Sequence, residues 1–368
     1  MCIRDRYKFE EAARKGAAGV ILIHTTDSAG YGWNVVRTSN GSWRFDIART
    51  ATDKTPFLQM RSWMTEVAAR KIFTQAGKNL DELREQAKTR NFQPSKLGLT
   101  AKIDLKSELK RLDSNNVVGV WEGSDAKLKD EYVIYTAHWD HLGVGIPNDK
   151  GDTIYNGALD NATGCASVLS IAEALTKLPA AERPKRSSVF LFTTAEEQGL
   201  LGAEWYARFP VFPTEKTAAN VNIDGGNLYG ITNDYGALGA ERSNIMPIVQ
   251  TILAERKMTF APDSRPEQGS FFRSDHFPLA KVGIPAISVR NGMDYIGRPK
   301  DFAQKTFDEF NKNHYHQPSD EFRSDWRFDG VVQMTEISLA IGLQAANSPT
   351  LLRYNSTDEF SKAQPNRK

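Results

Sequence analysis

Residues 188–197 read SVFLFTTAEE, an apolar run of strand length that ends in two adjacent glutamates. Residues 132–140 (YVIYTAHWD) and residues 220–226 (NVNIDGG) repeat this arrangement, with a histidine or an aspartate after the apolar part. Apolar runs of this length, rich in β-branched and aromatic residues, are typical of buried strands. Ligands of open α/β sheets bind outside the carboxyl ends of the strands. The three stretches therefore predict a sheet with polar, acidic side chains along one edge.

Two further apolar runs, residues 116–123 (NVVGVWEG) and 285–290 (PAISVR), have the same strand character. Between and after the strands, four stretches have helical patterns, namely residues 161–178, 202–208, 244–256 and 330–346. Alternation of strands and helices is typical of a sheet that is covered on both faces. We therefore expect an α/β fold with a mixed, largely parallel central sheet and helices on both faces.

A smaller α/β module precedes this region. Its expected elements are a helix over residues 8–15, a strand over 16–24, a short strand over 56–60 and a helix over 62–76. After Pro349 the sequence is polar and aperiodic, which is typical of a surface tail. We therefore expect the module at residues 1–95, the main domain at residues 96–348 and the tail at residues 349–368.

The composition excludes several classes of protein. The chain has 368 residues and a formal net charge of +2, so it lacks the basic surface that nucleic acid or anionic lipid selects. The sequence has no run of about 18 apolar residues, the length that a membrane-spanning helix needs. Residues 1–6 (MCIRDR) do not resemble a secretory signal, and the pattern after them starts in mid-element, so we expect a truncated amino terminus. The oligomeric state stays open.

The paired glutamates, Glu196 and Glu197, point to a metal. Two carboxylates at a buried strand end repel each other and lose hydration, so they need a cation or a raised pKa. Asp160, in GALDNATG, could cap the following helix or bridge two metal ions. His316 lies in the polar segment NHYHQPSD and taken alone is an ordinary surface histidine.

Taken together, these positions supply two imidazoles and three carboxylates, donors that zinc accepts readily. The candidate ligands are His138, Asp160, Glu197, Asp224 and His316. Their number fits two zinc ions with three protein ligands each and one shared carboxylate. Glu196 is then left over as a general base.

Six motifs in this order resemble the co-catalytic zinc aminopeptidase family, which includes bacterial secreted leucyl aminopeptidases, glutamate carboxypeptidase II and the transferrin receptor ectodomain. The motifs are AHWDH, GALDNATG, TAEEQGLLGAEWY, NIDGG, RSDHFPLAKVGIPA and YHQPSD. The segment EEAARKGAAGVILIH, residues 10–24, similarly resembles the later part of a protease-associated domain. The resemblance implies a zinc exopeptidase fold with a truncated protease-associated module, and an exported, periplasmic or extracellular protein.

The resemblance also implies a role for each motif residue. One zinc ion would be bound by His138 and Asp224, the other by Glu197 and His316, with Asp160 bridging them. Glu196 would be the general base. Asp140 matches the carboxylate that orients the ligand imidazole, although a simple salt bridge is the alternative.

Other matched positions concern the substrate side of the site. Ser274, Asp275 and His276 match an element that lines the site. Secreted leucyl aminopeptidases have a tyrosine three residues before the serine of this element, where this chain has Phe271. Tyr295 is one candidate to replace its hydroxyl, and an exposed loop tyrosine without a role is the alternative.

The implied activity is removal of amino-terminal residues from peptides by zinc-activated water. A carboxypeptidase or dipeptidase on the same scaffold is the nearest alternative, since Arg273 or Arg290 could bind a substrate carboxylate. A glutaminyl cyclase with one zinc ion, or a receptor-like domain without metal, is more distant. A nucleophilic hydrolase is disfavoured, because there is no G-x-S-x-G motif and because Cys165, in an alanine-rich helical pattern, has no histidine nearby in the sequence.

Overall fold

The computed structural model describes residues 3–49 and 56–364, and it divides into two compact units. As far as they are described, one unit consists of residues 5–36 and 48–113, and the other of residues 1–4, 37–47 and 114–368. This division differs from the single boundary near residue 95 that we expect from the sequence. Residues 37–47 belong with the larger unit through tertiary contacts, which local sequence patterns do not reveal.

Over residues 3–49 and 56–113 the structure describes five helices and two strands. They are Ile3–Arg14 (α1), Gly19–His24 (β1), Thr26–Ala29 (α2), Trp33–Ser39 (α3), Met60–Thr65 (β2), Glu66–Gln75 (α4) and Leu80–Ala87 (α5). β1 and β2 pair in parallel. The second strand lies four residues later than expected, because Thr65 caps α4 and its hydroxyl oxygen accepts a hydrogen bond from the Ala68 amide. The relation to a protease-associated domain stays a prediction.

The larger unit contains a seven-stranded sheet and a short hairpin. Its strands are Val117–Trp121 (β3), Tyr132–His138 (β4), Gly143–Val144 (β5), Ile154–Tyr155 (β6), Ser187–Thr193 (β7), Thr217–Asn222 (β8), Asp234–Leu238 (β9), Thr259–Ala261 (β10) and Ala286–Arg290 (β11). The order in the sheet is β10-β9-β11-β8-β4-β7-β3, and only the β11–β9 and β3–β7 pairs are antiparallel. The expected mixed, largely parallel sheet is thus confirmed.

In the described part of the larger unit, six α-helices accompany this sheet. They are Thr163–Thr176 (α6), Leu201–Arg208 (α7), Met246–Glu255 (α8), His276–Lys281 (α9), Phe302–Asn313 (α10) and Asp329–Asn347 (α11). α6, α8 and α11 pack with the strands around the main core, to which Val168, Ile252 and Ile341 contribute fully buried side chains. Among the residues that the structure describes, no helix is both long and apolar enough to span a bilayer.

Close contact between α11 and β4 requires a glycine in the helix. A Cβ atom on Gly342 would lie 2.0 Å from the hydroxyl oxygen of Tyr135, a residue that is 1% exposed. We expect Gly342→Ala to lower the free energy of unfolding by about 1–3 kcal/mol, the usual cost of overpacking. Val332→Ala, at a position on the same helix that is 52% exposed, should cost less than about 0.5 kcal/mol. Equal values for the two variants in urea unfolding would contradict this packing.

The expectation of a surface tail over residues 349–368 is wrong where three large side chains of its described part are buried. Leu352, Tyr354 and Phe360 are all less than 8% exposed. Tyr354 and Phe360 pack with Phe271 and Phe277 in a second hydrophobic cluster, and the Tyr354 hydroxyl donates to the carbonyl oxygen of Ile284. The segment is anchored by a few large side chains without regular spacing, a signal that periodicity cannot detect.

Candidate metal centre

The three neighbouring strands β8, β4 and β7 run parallel and end at the same edge of the sheet. His138 is the last residue of β4, and Asp224 follows β8 by two residues. Glu196 and Glu197 follow the end of β7 by three and four residues. Potential metal-binding atoms of these side chains lie within 4.8 Å of one another in overlapping groups. The sequence-based expectation that three strands deliver acids and a histidine to one edge is therefore confirmed.

The five candidate zinc ligands converge on each other. Nε2 of His138 lies 3.2 Å from Oδ1 of Asp160 and 3.2 Å from Oδ1 of Asp224. Nε2 of His316 lies 3.4 Å from Oδ2 of Asp160 and 3.0 Å from Oε2 of Glu197. The two oxygens of Asp160 thus face different imidazoles.

These separations have a simple geometric meaning. Zinc binds nitrogen and oxygen at about 2.0–2.1 Å, so two ligands on a tetrahedral ion stand about 3.3 Å apart. The distances from Asp160 to His138 and His316, 3.2 and 3.4 Å, agree with that spacing. The arrangement fits two ions that share one carboxylate.

Electrostatics favour a cation at this place. Glu196 and Glu197 are 3% and 2% exposed, and their charges repel each other. Burial raises the pKa of Glu196 well above its ordinary value; the charge of His138 opposes that shift, and the charges of Glu197 and Asp224 add to it. Divalent metal would offset this concentration of negative charge.

His141 is a third imidazole in the cluster, and it has no assigned role in the sequence-based prediction. Its Nδ1 lies 2.8 Å from Oε1 of Glu197, but the geometry is not that of a hydrogen bond, so neither buried atom has a hydrogen-bond partner among the described residues. Burial alone would raise the pKa of Glu197, but the charges of His316 and His141 outweigh it and hold that pKa well below its usual range. Buried nitrogen and oxygen atoms that lack a hydrogen-bond partner are suited to bind a metal ion. Its place as the second histidine of the AHWDH motif is the sequence feature from which His141 could have been identified.

The orientation of His138 has a different origin from the one we expect from the sequence. Its Nδ1 lies 2.9 Å from the main-chain carbonyl oxygen of Asp140, which leaves Nε2 to face the carboxylates. The Asp140 carboxylate instead accepts hydrogen bonds from the Ala195 amide at 2.5 Å and from the Thr194 hydroxyl at 3.3 Å. Asp140 thus orients the imidazole through its backbone, and its side chain fixes the turn just before Glu196.

Asp160 does not cap the following helix. The amide of Gly164 donates to the side-chain oxygen of the neighbouring residue, Asn161, at 3.0 Å. Asn161 also forms hydrogen bonds to the two residues that flank Asp224. Its Oδ1 accepts from the Gly225 amide, and its Nδ2 donates to the Ile223 carbonyl oxygen. The carboxylate of Asp160 is therefore free to face both imidazoles.

Asp320, four residues after His316, holds the backbone around Asp160. Its Oδ1 accepts from the Leu159 amide at 2.8 Å and its Oδ2 accepts from the Asp160 amide at 3.0 Å. The residue is 1% exposed. One buried carboxylate thus ties the backbone around Asp160 to the loop that carries His316.

Asp320→Asn is expected to weaken zinc binding by about 10–100-fold, as is usual when a residue that orients metal ligands is lost. The asparagine NH2 group would face an amide N–H, so one of the two hydrogen bonds is lost. Competition with a chromophoric zinc chelator measures the change. The neighbouring Glu321→Gln, at an exposed position, should leave the affinity within about threefold. Parental affinity of Asp320→Asn would show that this clamp is dispensable.

Ser274, Asp275 and His276 lie behind the site and are all 1% exposed or less. Ser274 accepts a hydrogen bond from Asn222 at 2.7 Å, and Asp275 accepts one from Thr193, so both brace strands that end at the site. Burial raises the pKa of Asp275 to about 7, and burial lowers the pKa of His276 to about 3. The contacts of Ser274 and Asp275 are those of residues that support the strands, whereas the His276 ring packs edge-on against Phe271.

Phe271, at the position of the family tyrosine, and Tyr295, the candidate to replace its hydroxyl, are both packed in the interior. Phe271 is 7% exposed and packs in the second hydrophobic cluster. Tyr295 is buried, contrary to the exposed loop position that is one alternative from the sequence, and its hydroxyl donates to Oδ1 of Asn227 at 2.9 Å. Tyr295 is therefore not positioned as a replacement for the family tyrosine, because its hydroxyl already has a buried acceptor.

Two aminopeptidases share part of their sequence with this chain. The rat aminopeptidase NAALADL1 (Rattus norvegicus) is 32% identical over 209 residues, which are 56% of this chain and 25% of that protein. The mouse aminopeptidase NAALADL1 (Mus musculus) is 33% identical over 130 residues, 34% of this chain and 16% of that protein. The chain thus spans a quarter or less of the length of these relatives.

A solved structure shows the same fold at lower identity. It is an aminopeptidase from Aneurinibacillus sp. strain AM-1, with a TM-score of 0.51, 18% identity, and coverage of 95% of this chain and 66% of that one. A family model described as Peptidase family M28 matches residues 116–340, more than half of the chain. This match contains the six motifs and all five candidate zinc ligands. The chain therefore belongs to peptidase family M28.

Proposed function

We propose that this chain is a two-zinc aminopeptidase that removes amino-terminal residues from peptides. His138 and Asp224 would hold one zinc ion and Glu197 and His316 the other, with Asp160 shared between them. An exported, periplasmic or extracellular, location is part of the proposal and rests on the family. The observation that carries the proposal is the position of Asp160, with each carboxylate oxygen at zinc-ligand spacing from a different imidazole.

Zinc bound there would lower the pKa of a water molecule and polarise the scissile carbonyl. Glu196 is the proton carrier, because it is the remaining carboxylate beside His138 and Glu197. It takes a proton from the attacking water and passes it to the leaving amine. Burial raises the pKa of Glu196, and a general base works best when its pKa lies near the working pH.

One observation favours a carboxypeptidase as the second candidate. Arg290 is the last residue of β11. Burial raises the pKa of Asp224, but His138, with a smaller contribution from the charge of Arg290, holds that pKa below its ordinary value. A guanidinium close to a proposed ligand could bind the carboxylate of a substrate. Arg273 is less suited, because its guanidinium donates to the main-chain carbonyl oxygen of Gln268 at 2.6 Å.

Hydrolysis of leucine p-nitroanilide and of a peptide blocked at its amino end separates the two candidates. The proposal predicts cleavage of the free-amine substrate only, and loss of this cleavage with a zinc chelator. Cleavage of the blocked peptide from its carboxyl end would favour the carboxypeptidase. A folded protein that cleaves neither substrate with zinc present would contradict both.

A further inference from the structure

The proposed ligand His316 has a partner outside the segment that the family model matches. Its Nδ1 lies 2.7 Å from the hydroxyl oxygen of Ser39. The two residues are separated by 277 positions in the sequence, and both are buried, with Ser39 3% and His316 2% exposed. Ser39 is the last residue of α3 and belongs to the same compact unit as His316.

The position of Ser39 is fixed by further contacts on its own segment. The guanidinium of Arg44 donates to the carbonyl oxygen of Ser39 at 2.7 Å, and the Gly41 amide donates to the carbonyl oxygen of Thr38 at 3.2 Å. The side-chain amide of Gln317, next to His316, donates to the Thr38 hydroxyl at 3.4 Å. The hydroxyl of Ser39 is therefore presented to the ring by an ordered turn.

A neutral imidazole that binds a metal through one nitrogen normally donates the N–H of its other nitrogen to an oxygen. That hydrogen bond fixes the tautomer and the ring orientation. For His316, a bond from Nδ1–H to Ser39 leaves the Nε2 lone pair facing Asp160 and Glu197. His138 has the same arrangement, but its partner is the main-chain carbonyl oxygen of Asp140.

We propose that Ser39 is a positioning residue for His316 and thereby sets the affinity of one of the two zinc sites. The inference deepens the proposed function and rests on it. It also means that residues 116–340 alone do not supply the whole centre, because the segment 37–47 provides a necessary partner.

The test is zinc affinity, measured on the full chain by competition with a chromophoric chelator. Ser39→Ala is expected to lower the affinity for one zinc ion by about 10–100-fold and to leave the affinity for the other within about threefold of the parental value. Ser338→Ala is the matched control, because Ser338 is fully buried, its hydroxyl lies 3.0 Å from that of Tyr235, and it contacts none of the proposed ligands. This control should bind both ions as the parental protein does.

A second pair of variants guards against a folding defect. Threonine and valine have nearly the same shape, so Ser39→Thr should keep both affinities while Ser39→Val weakens one. Equal affinities of Ser39→Thr and Ser39→Val, or loss of both ions in equal measure in Ser39→Ala, would overturn the role of Ser39. A folded parental protein that binds no zinc would instead overturn the proposed function.

Discussion

Glu196→Gln is expected to retain two zinc ions per chain and to lose about 10²–10⁴-fold in kcat, the usual contribution of a general acid–base group. Glutamine has the same shape as glutamate but cannot accept the proton of the attacking water. The charges of Glu197 and Asp224 repel a charge on Glu196, and the substitution removes that charge. When both proteins are free of metal, the variant should therefore be at least as stable as the parental protein. Steady-state kinetics, elemental analysis and thermal unfolding measure the three quantities.

Two comparisons make this result specific. Glu197→Gln should lose zinc as well as turnover, since Glu197 is a proposed ligand. Glu215→Gln, which removes a carboxylate at an exposed position, should leave both unchanged. A kcat of Glu196→Gln within about tenfold of the parental value would exclude Glu196 as the base.

Asp160→Asn is expected to weaken the binding of both zinc ions, because each carboxylate oxygen of Asp160 faces a different imidazole. An amide offers one oxygen, and its NH2 group cannot bind a metal. After dialysis against metal-free buffer, elemental analysis should find less than one zinc ion per chain. His138→Ala and His316→Ala should each retain about one, because each removes a ligand from one site only.

Asp149→Asn, at an exposed position, is the control for the loss of an aspartate and should keep two ions. An Asp160→Asn protein that retains one zinc ion at parental affinity would contradict the bridging role. In that case Asp160 would serve a single metal.

The strands and their polar ends could be predicted because each carries its own signal. Apolar runs of strand length, followed by His138, Glu197 or Asp224, place these side chains at one sheet edge once the strands are parallel. The helices α6, α7, α8 and α11 were likewise expected, within a few residues at their ends. These features depend on local sequence and on a general rule of α/β sheets.

The remaining features depend on tertiary contacts. Ser39 lies 277 residues from His316, and nothing in its surroundings distinguishes it from any other polar residue at a helix end. Asp320 acts on a backbone segment 160 residues away. The family resemblance points to the carboxylate of Asp140, whereas its backbone carbonyl makes the contact with His138. A sequence pattern does not distinguish between those two atoms.

Zinc content and its relation to turnover test the central claim most directly. Elemental analysis of the purified protein should find two zinc ions per chain. Chelation should abolish hydrolysis of leucine p-nitroanilide, and added zinc should restore it as the two sites refill. A folded protein that binds no zinc, or one whose hydrolysis persists unchanged after the metal has been removed, would contradict a two-zinc catalytic centre.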